Sequence, residues 1–588
     1  MNRRDVLLAA ALTAVLLLML VPFARIGVDA HHDGIMLKPA FDVLAGQVLF
    51  RDSFMQYGAL STYLQALALA IQPTLWSVRM FTVACYAATL VVLFAAWRLI
   101  LPRSLAVVAG LLFILFIPAY ETDYWVHDYW KLAPWSSVYA MMFQALGLYA
   151  LFRVIRGERS KPWALVLGMA AAGVFWCRQP VGGMMVVSLA GIWAGLRWAG
   201  WQPADGPARP VLVRIVGGLV LVNALFFGGM LPTGALPAWW YQNVVWPARW
   251  SEVIYLGDTL GFTVHPAACA GLVGLGLALA LPNLVRRYRP DLGKRAVAGY
   301  FLFLGLVLAW QHQRLLRAVD LGDGGWRALF PLIAFAQAGI SLWQAPAARG
   351  RPKTTEYYLV AALAGLTLGS LLQYYPMADS WHIFYSLAPG FGLFVYALWR
   401  WTGWSAGAVA LGLTALFVPS IWARIEAAGP ALNRPLVTLE RPALLAGMRV
   451  PPEQARSLTR IADTVARVLR YQPDIPSAMI GDNALYLCLG NNRENPTPYF
   501  VTWRGLASQE ENLRRWSYIG RVRPLLILQK ARWKAVDEFY RGSHYVPLCF
   551  VPAEELEIAV PQELADRMGL GAYPDGPRRG PEMALVNP

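Results

Sequence analysis

The sequence predicts a polytopic membrane protein that is all α-helical for most of its length, followed by a small C-terminal α/β domain outside the membrane. Of the 588 residues, 57% are hydrophobic, whereas soluble domains average about 45–50% apolar residues. Apolar stretches long enough to cross a bilayer recur up to residue 423. From residue 424 onward the chain is polar and contains no further span.

The first apolar run extends from Val6 to Phe23 and follows Met1-Asn2-Arg3-Arg4. No small-residue cleavage site follows it, so we expect an uncleaved membrane helix with a cytoplasmic N-terminus, not a secretory signal. With this run, hydropathy predicts about thirteen spans in all. The others are predicted at residues 78–100, 104–118, 134–152, 163–178, 181–199, 214–231, 266–285, 296–311, 326–344, 357–373, 383–400 and 405–423.

The basic residues of the loops support this topology. They are concentrated in alternate loops, among them residues 153–161, 286–295 and 349–353, which the positive-inside rule assigns to the cytoplasm. The net charge of +16 is thereby explained by orientation signals. Nucleic acid is therefore not an expected partner, whereas membrane lipids are.

The sequence divides into a multi-span catalytic region at residues 1–423, a domain at 424–572 and a tail. In the second part, helix-like stretches at 453–469 and 509–520 alternate with short apolar runs at 478–482, 524–528 and 545–551, which is typical of a small α/β domain. The Pro-, Gly- and Arg-rich tail at 573–588 is predicted to be disordered. Cys488 and Cys549 both fall in the domain; their apolar neighbours favour buried free thiols over a disulfide.

The most unusual polar residues follow the first span. The segment reads His31-His32-Asp33-Gly34 and continues to Tyr63, and it includes the carboxylates Asp29, Asp33, Asp42 and Asp52 in a chain that is only 15% charged. Spanning a bilayer requires none of these groups. We therefore predict that this segment is a loop at the membrane surface and that it holds the catalytic centre.

The predicted topology places further ionisable residues on the same, outer side of the membrane. Because ionisable groups near a bilayer are costly, their concentration on one side indicates function. These residues are Glu121, Asp123, His127, Asp128, Lys131, Arg178, His265, His312, Arg314, Arg317, Asp379 and His382.

This pattern resembles the GT-C superfamily of membrane glycosyltransferases, which includes oligosaccharyltransferases, protein O-mannosyltransferases and aminoarabinose transferases. Members of this superfamily carry an acidic residue in the first outer loop, and many carry an acidic pair in the next outer loop. In this chain Asp33 matches the first feature, and Glu121 and Asp123 match the second. Further motifs resemble a bacterial branch whose acceptors are mostly unassigned; a departure is His31-His32, where many relatives have acidic or neutral residues. The motifs are Asp33-Gly34, Arg51-Asp52-x-Phe54-x-x-Tyr57-Gly58, Arg178-Gln179-Pro180-Val181-Gly182, Asp379-Ser380-x-His382 with Pro389, and Asn495-Pro496-Thr497.

The resemblance implies transfer of a sugar from a polyprenyl-phosphate donor to a glycan, lipid or protein acceptor at the periplasmic face of a bacterial inner membrane. Asp33 would be the general base or orient the acceptor, with His32 assisting. The donor phosphate would be bound by Arg178, Arg314, Arg317 and His382. Glu121 and Asp123 would hold Mg²⁺ or Mn²⁺, or the acceptor. Support or acceptor contacts would come from Asp52, Lys131 and Asp379.

Each site residue also has a structural interpretation. Asp33 would then cap the following helix, and Asp52 would form a surface ion pair with Arg51. Arg178 would anchor a helix end at the membrane interface. The same interfacial or hydrated-loop interpretation applies to Glu121, Asp123, Arg314, Arg317 and His382.

Two other functions use similar lipids. One is a flippase or transporter of lipid-linked sugars, and the other is a glycan polymerase or ligase of a different fold. Transporters tend to bury their binding residues at mid-membrane on inverted repeats. Here the ionisable residues lie at one interface and no repeat is visible, which disfavours transport.

Overall fold

The computed structural model describes residues 2–117, 132–203, 206–250, 326–345, 354–374, 380–415, 433, 435–490, 497–501, 506–529, 544–552 and 555–570. Within these residues the chain is mostly helical up to residue 415. A small mixed sheet with helices follows. This is the predicted combination of a helical membrane region with a C-terminal sheet region.

Sixteen α-helices occur among the described residues before residue 416. A π-helical turn at Tyr241–Val245 joins two of them. Their bounds are α1 Arg3–Leu20, α2 His32–Leu44, α3 Ala59–Ile71, α4 Leu75–Trp97, α5 Arg103–Leu115, α6 Ser136–Ile155, α7 Ser160–Cys177, α8 Gln179–Trp198, α9 Ala208–Thr233, α10 Leu236–Trp240, α11 Trp246–Trp250, α12 Trp326–Gln344, α13 Thr355–Ser370, α14 Ser380–Leu387, α15 Gly390–Thr402 and α16 Ala406–Ala415.

Six helices of the described residues are long and apolar enough to cross a membrane, or up to seven when a bent pair is counted as one span. The bent pair joins α14 to α15 through an angle of 62°. These helices fit a multi-pass membrane protein, but they do not confirm the predicted count of about thirteen. The predicted spans at 266–285 and 296–311 lie outside the described residues.

The segment between the first two spans differs from the prediction. Instead of one loop, it contains α2 and α3. The sequence of α3 is rich in alanine and leucine, the strongest helix formers among apolar residues, yet its 13 residues are too few to cross a bilayer. A search for spans alone therefore passes over it.

The C-terminal region contains a two-stranded ladder of β1 (Val437–Thr438) and β2 (Arg449–Val450), followed by a four-stranded sheet. The sheet order is β3-β4-β6-β5, with β3 and β4 parallel and the other neighbours antiparallel. In the described part of this region, three α-helices accompany the sheet. The bounds are β3 Ser477–Ile480, β4 Leu525–Gln529, β5 Tyr545–Val551, β6 Leu556–Pro561, α17 Pro452–Tyr471, α18 Gln509–Val522 and α19 Gln562–Arg567.

The helices of this region form for local reasons that the sequence shows. In α17, Leu458, Ile461, Val465 and Val468 recur at helical spacing and are buried. In α18, Ser508 and the Glu at the third helical position form a capping box. The described residues confirm both predicted helices and three predicted strands, whereas β6 was not predicted. The predicted boundary at residues 423/424 and the predicted disordered tail lie outside these residues.

Two hydrogen bonds join the start of the C-terminal region to the chain after α1. Gly27 N donates to the Arg449 carbonyl at 2.9 Å, and Gln454 Nε2 donates to the Val28 carbonyl at 2.8 Å. These contacts hold the beginning of α17 beside the segment that leads into α2.

A second contact covers α2 itself. The backbone N–H of Leu485 donates to the Ala30 carbonyl at 3.1 Å. A Cβ at Gly34 would lie 2.1 Å from Leu485 N, so only glycine permits this approach of the two backbones. The first turn of α2 is thus packed against the C-terminal region, and this packing positions the candidate site.

Candidate active site

Asp29 orients His32 at the start of α2. Asp29 Oδ1 accepts the backbone N–H groups of His31 at 3.0 Å and His32 at 3.1 Å, as capping carboxylates do. Its Oδ2 lies 2.5 Å from His32 Nδ1. Because an ionised carboxylate can only accept, Nδ1 carries the proton and Nε2 is the basic nitrogen of the neutral ring. With 31% of the His32 side chain exposed, this Asp29–His32 dyad is suited to accept a proton.

Asp33 follows the dyad in the first turn of α2, and its side chain is fully buried. Its Oδ2 accepts from Arg79 Nη2 at 2.7 Å and from the Asp29 N–H at 2.9 Å. Arg79, also fully buried, donates in addition to the Ile26 and Gly27 carbonyls at 2.9 and 3.0 Å. Burial raises the pKa of Asp33, and the positive charge of Arg79 opposes that shift. The ion pair therefore fixes the turn that carries the dyad, and Asp33 does not face solvent.

Arg178, between α7 and α8, is connected to the dyad through aromatic rings. Its guanidinium donates to Ser137 Oγ and lies 5.6 Å from the ring centroid of Tyr57. Tyr57 contacts Trp135, with centroids 6.2 Å apart, and Trp135 contacts His32 at 5.1 Å. The structure thus brings Arg178 and His32 to one side of the helical region.

Asp52 braces the loop before α3. Its carboxylate pairs with Arg51 at 2.8 Å and accepts the Val48 N–H at 2.8 Å. The hydrogen bond from Arg51 lowers the pKa of Asp52 below its usual value, while partial burial opposes the shift. Arg51 also donates to the Thr233 carbonyl at the end of α9. These contacts tie the loop to α9.

The remaining predicted site residues are placed as follows. His382 lies half-buried in the first turn of α14, before the bend to α15. The others fall outside the described residues: Glu121, Asp123, Lys131, Arg314, Arg317 and Asp379.

No group of three or more His, Cys, Asp or Glu residues that could hold a metal ion occurs in the described part of the chain. Near the dyad, Asp29 is engaged by His32 and backbone N–H groups, and Asp33 Oδ2 by Arg79 and the Asp29 N–H. Asp33 Oδ1 is buried and has no hydrogen-bond partner among the described residues, so it offers a single oxygen to a cation. The described residues by themselves therefore do not form a site that fits Mg²⁺ or Mn²⁺. The predicted ligands Glu121 and Asp123 are not among them.

A second buried polar group lies further along α2. Lys38 Nζ donates to both Asp42 carboxylate oxygens at 2.5 and 2.6 Å, and Ser53 Oγ donates to Asp42 at 2.5 Å. Burial lowers the pKa of Lys38, and the Asp42 carboxylate opposes this shift. Lys38 also lies 5.3 Å from the Phe500 ring. The group ties α2 to the following loop and to the C-terminal region.

His31 connects the dyad's turn to the end of β3. Its Nδ1–H donates to the carbonyl of Asp482 at 3.0 Å, because a carbonyl oxygen can only accept. Burial, and then the neighbouring His32, lower the pKa of His31, whereas Asp29 and Asp482 oppose the shift. Neutral His31 is thus part of the contact between α2 and the sheet.

The sequence prediction did not assign roles to Arg79, Asp29 or Trp135. A signal for Arg79 existed: an arginine inside an apolar stretch predicts a buried partner. The contact of Trp135 with His32 could not be read from spacing, because more than one hundred residues separate them. The four cysteines that the structure describes, including Cys488 and Cys549, are free thiols.

No family model matches the chain, and no curated protein matches it. Solved structures do match. The oligosaccharyltransferase of Archaeoglobus fulgidus, in complex with Zn and sulfate, aligns with a TM-score of 0.44 and 10% identity over 95% of this chain and 73% of that chain. AglB from the same organism, in complex with an inhibitory peptide and a dolichol-phosphate, aligns with a TM-score of 0.42 and 10% identity. This alignment covers 95% of this chain and 74% of that chain.

A bacterial protein gives similar values. ArnT from Cupriavidus metallidurans in the apo state aligns with a TM-score of 0.41 and 12% identity over 95% of this chain and 98% of that chain. The structure of ArnT bound to undecaprenyl phosphate aligns with a TM-score of 0.38 and 13% identity, over 94% of this chain and 97% of that chain.

Proposed function

We propose that this chain is an integral-membrane glycosyltransferase that moves a sugar from a polyprenyl-phosphate donor to an acceptor at the periplasmic face of a bacterial inner membrane. The observation that carries the proposal is the Asp29–His32 dyad, held above the buried Asp33–Arg79 pair. The donor class and the side of the membrane follow from the motif resemblance in the sequence. The geometry of the dyad supports the choice of His32 as the proton acceptor.

In the proposed reaction an acceptor hydroxyl attacks the anomeric carbon of the donor sugar. As the new carbon–oxygen bond forms, the hydroxyl proton passes to His32 Nε2. The bond from the anomeric carbon to the phosphate oxygen breaks, and polyprenyl phosphate leaves with the electron pair. Asp29 stabilises the imidazolium that results, because its carboxylate stays hydrogen-bonded to Nδ1.

Arg178 would bind the leaving phosphate. Its guanidinium is planar and always charged, and such a group stabilises negative charge that develops on a phosphate oxygen. The aromatic bridge of Tyr57 and Trp135 sets its position relative to His32. Arg314, Arg317 and His382 remain proposed phosphate contacts. A divalent cation held by Glu121 and Asp123 would neutralise charge on the same phosphate.

Asp33 takes a positioning role in this proposal. Its ion pair with Arg79 holds the turn from which His32 projects, and it thereby orients the acceptor side of the site. Asp52 is proposed to support the neighbouring loop through its contacts with Arg51 and Val48. Lys131 and Asp379 remain proposed acceptor or support residues.

One observation favours a second candidate, a flippase for lipid-linked sugars. The helix pair α14–α15 is bent by 62°, and discontinuous helices line the binding sites of many transporters. The two functions are separable by experiment. A flippase moves an intact donor across vesicles without an acceptor, whereas a transferase releases polyprenyl phosphate only when acceptor is present.

The test uses the full chain, purified and incubated with a panel of polyprenyl-phosphate sugars and native membrane extract, with and without EDTA. We expect His32→Gln to lower the transfer rate by about 10²-fold or more, the range for loss of a general base. The matched control is His544→Asn, because His544 is exposed and its φ of 53° suits asparagine. Normal transfer by His32→Gln would refute the role of the dyad. Acceptor-independent movement of donor without release of polyprenyl phosphate would establish the flippase instead.

A further inference from the structure

An open groove of about 630 Å³ runs along one face of α17 in the C-terminal region. It is separate from the dyad, and the proposed reaction gives it no role. The polar side chains that line it are Arg456, Thr459, Arg460, Asp463, Thr464 and Arg467. We call this the arginine groove.

The arginine groove has an excess of positive charge. Its only lining carboxylate within the described residues is Asp463, which pairs with Arg441 at 2.9 Å. The exposed Arg456, Arg460 and Arg467 have no ion-pair partner in the described part of the chain. Elsewhere in this region Arg514 pairs with Glu510, and Arg523 with Glu563. Among the described residues, three guanidinium groups without an ion-pair partner therefore line the groove.

The spacing of these arginines indicates an extended ligand. Residues four and seven positions apart share a helix face. Arg456 and Arg460 are separated by about 6 Å along the helix axis, and Arg460 and Arg467 by about 10 Å more. A row of this length exceeds one phosphate group and matches a chain that carries negative charges at intervals. Thr459 and Thr464 add hydroxyls to the lining; the Thr464 hydroxyl donates to the Arg460 carbonyl at 2.8 Å, so towards a ligand it acts as an acceptor.

One end of the groove lies at the end of α17 that contacts the segment before the dyad. Gln454, in the first turn of α17, donates to the carbonyl of Val28, the residue before Asp29. Arg456 follows two positions later. Because two positions are about 200° apart around a helix, the groove and the turn that carries the dyad lie on opposite sides of the same end of α17.

We propose that the arginine groove binds an acidic glycan, a linear sugar chain with carboxylate or phosphate groups, and that this glycan is the acceptor. The inference rests on the proposed transferase function, which leaves the acceptor class open. An acidic glycan matches both the charge and the threonine hydroxyls of the lining. The lining also includes the apolar residues Val437, Pro452 and Ala455. An anionic lipid is the alternative occupant, which the binding experiment tests against the acidic glycan.

The experiment measures binding of fluorescein-labelled oligogalacturonate, which carries a carboxylate on every sugar, to the full chain in uncharged detergent. The test variant combines Arg456→Gln, Arg460→Gln and Arg467→Gln. The control variant removes the same number of charges elsewhere, with Arg514→Gln, Arg521→Gln and Arg567→Gln. We expect Kd to rise at least about tenfold in the test variant, because charge-assisted hydrogen bonds are lost, and to change less than about twofold in the control, whose exposed arginines lie off the groove.

Binding of the parent chain should also weaken with added salt, because ions screen exposed charges. Equal losses in the two variants would overturn the groove as the site, and so would equal competition by neutral dextran oligosaccharide. Absence of oligogalacturonate binding would overturn the acidic glycan, whether or not phosphatidylglycerol vesicles bind there.

A parallel transfer assay distinguishes failure of this inference from failure of the proposed function. Transfer of sugar without oligogalacturonate binding would refute only the glycan groove. Groove-dependent binding without transfer from any donor in the panel would leave the glycan site standing, while its identification as an acceptor would fall with the transferase function.

Discussion

The buried ion pair of Asp33 and Arg79 gives the sharpest test of how the site is held. Both side chains are fully buried, so removal of one partner leaves an uncompensated charge in the interior. Such a change costs about 3–5 kcal/mol of stability. We expect Asp33→Asn to fall near the lower end, because asparagine still accepts one hydrogen bond from Arg79. Arg79→Met should fall near the upper end, because the Ile26 and Gly27 carbonyls also lose their donor.

The double variant separates the pair from its surroundings. With neither charge present, Asp33→Asn with Arg79→Met should cost less than the sum of the single changes, by a coupling of about 2–3 kcal/mol. The stability of the Arg79→Met variant should also depend on pH. Burial raises the pKa of Asp33, and without Arg79 the folded state binds that proton still more strongly than the unfolded state. The stability of this variant should therefore fall as the pH rises from about 4, the pKa of Asp33 in the unfolded state, through the raised pKa of Asp33 in the folded state.

The assay is unfolding of the full chain in mixed micelles, followed by tryptophan fluorescence, together with transfer in the same preparations. Additive losses in the single and double variants would refute the ion pair as the brace of the turn. Transfer adds a second criterion. If the double variant regains stability and transfers sugar, Asp33 is a positioning residue; if it regains stability but stays inactive while it binds donor, Asp33 itself takes part in proton transfer.

Two further predictions concern the contact between α2 and the C-terminal region. His31, with a pKa lowered by burial, is protonated more readily in the unfolded state, so its contribution to stability is present above about pH 6.5 and is lost as pH falls below it. Melting temperatures between pH 5 and 8 should show this loss in the parent but less in His31→Gln; identical profiles would contradict it. Gly34→Ala should destabilise the contact by about 1–3 kcal/mol, because its Cβ meets Leu485 N, whereas Gly183→Ala, with nothing within 4 Å, should not; equal melting temperatures in the two variants would contradict the clash.

Hydropathy alone predicted most helices of the membrane region that the structure describes. Predicted spans at 78–100 and 134–152 coincide with α4 and α6 to within a few residues, because apolar length is a property of each segment by itself. α3 was missed for the same reason, since 13 apolar residues do not span. β6 was missed because a strand of mixed polarity, Leu-Glu-Ile-Ala-Val-Pro, becomes buried only through its partners β4 and β5.

The candidate site was predictable where its residues are close in the sequence. His32 and Asp33 stood out as polar groups after an apolar span, and Asp29 lies one helical turn before them. The partners that define their roles come from distant segments: Arg79 for Asp33, Trp135 for His32, and Asp482 for His31. No spacing rule connects such residues. The sequence therefore identified the segment, whereas the division of labour within it depends on tertiary contacts.

This division of labour has a physical basis. A proton acceptor must reach its substrate, and 31% of the His32 side chain is exposed, whereas Asp33 is fully buried. The Asp29 carboxylate accepts the Nδ1–H hydrogen bond, which makes Nε2 the basic nitrogen of the neutral ring. Asp33 already neutralises Arg79, and proton transfer to it would leave that guanidinium uncompensated in the interior. The two carboxylates are four residues apart, yet their surroundings differ: Asp29 supports the histidine that accepts the proton, whereas Asp33 pairs with Arg79 and positions the turn.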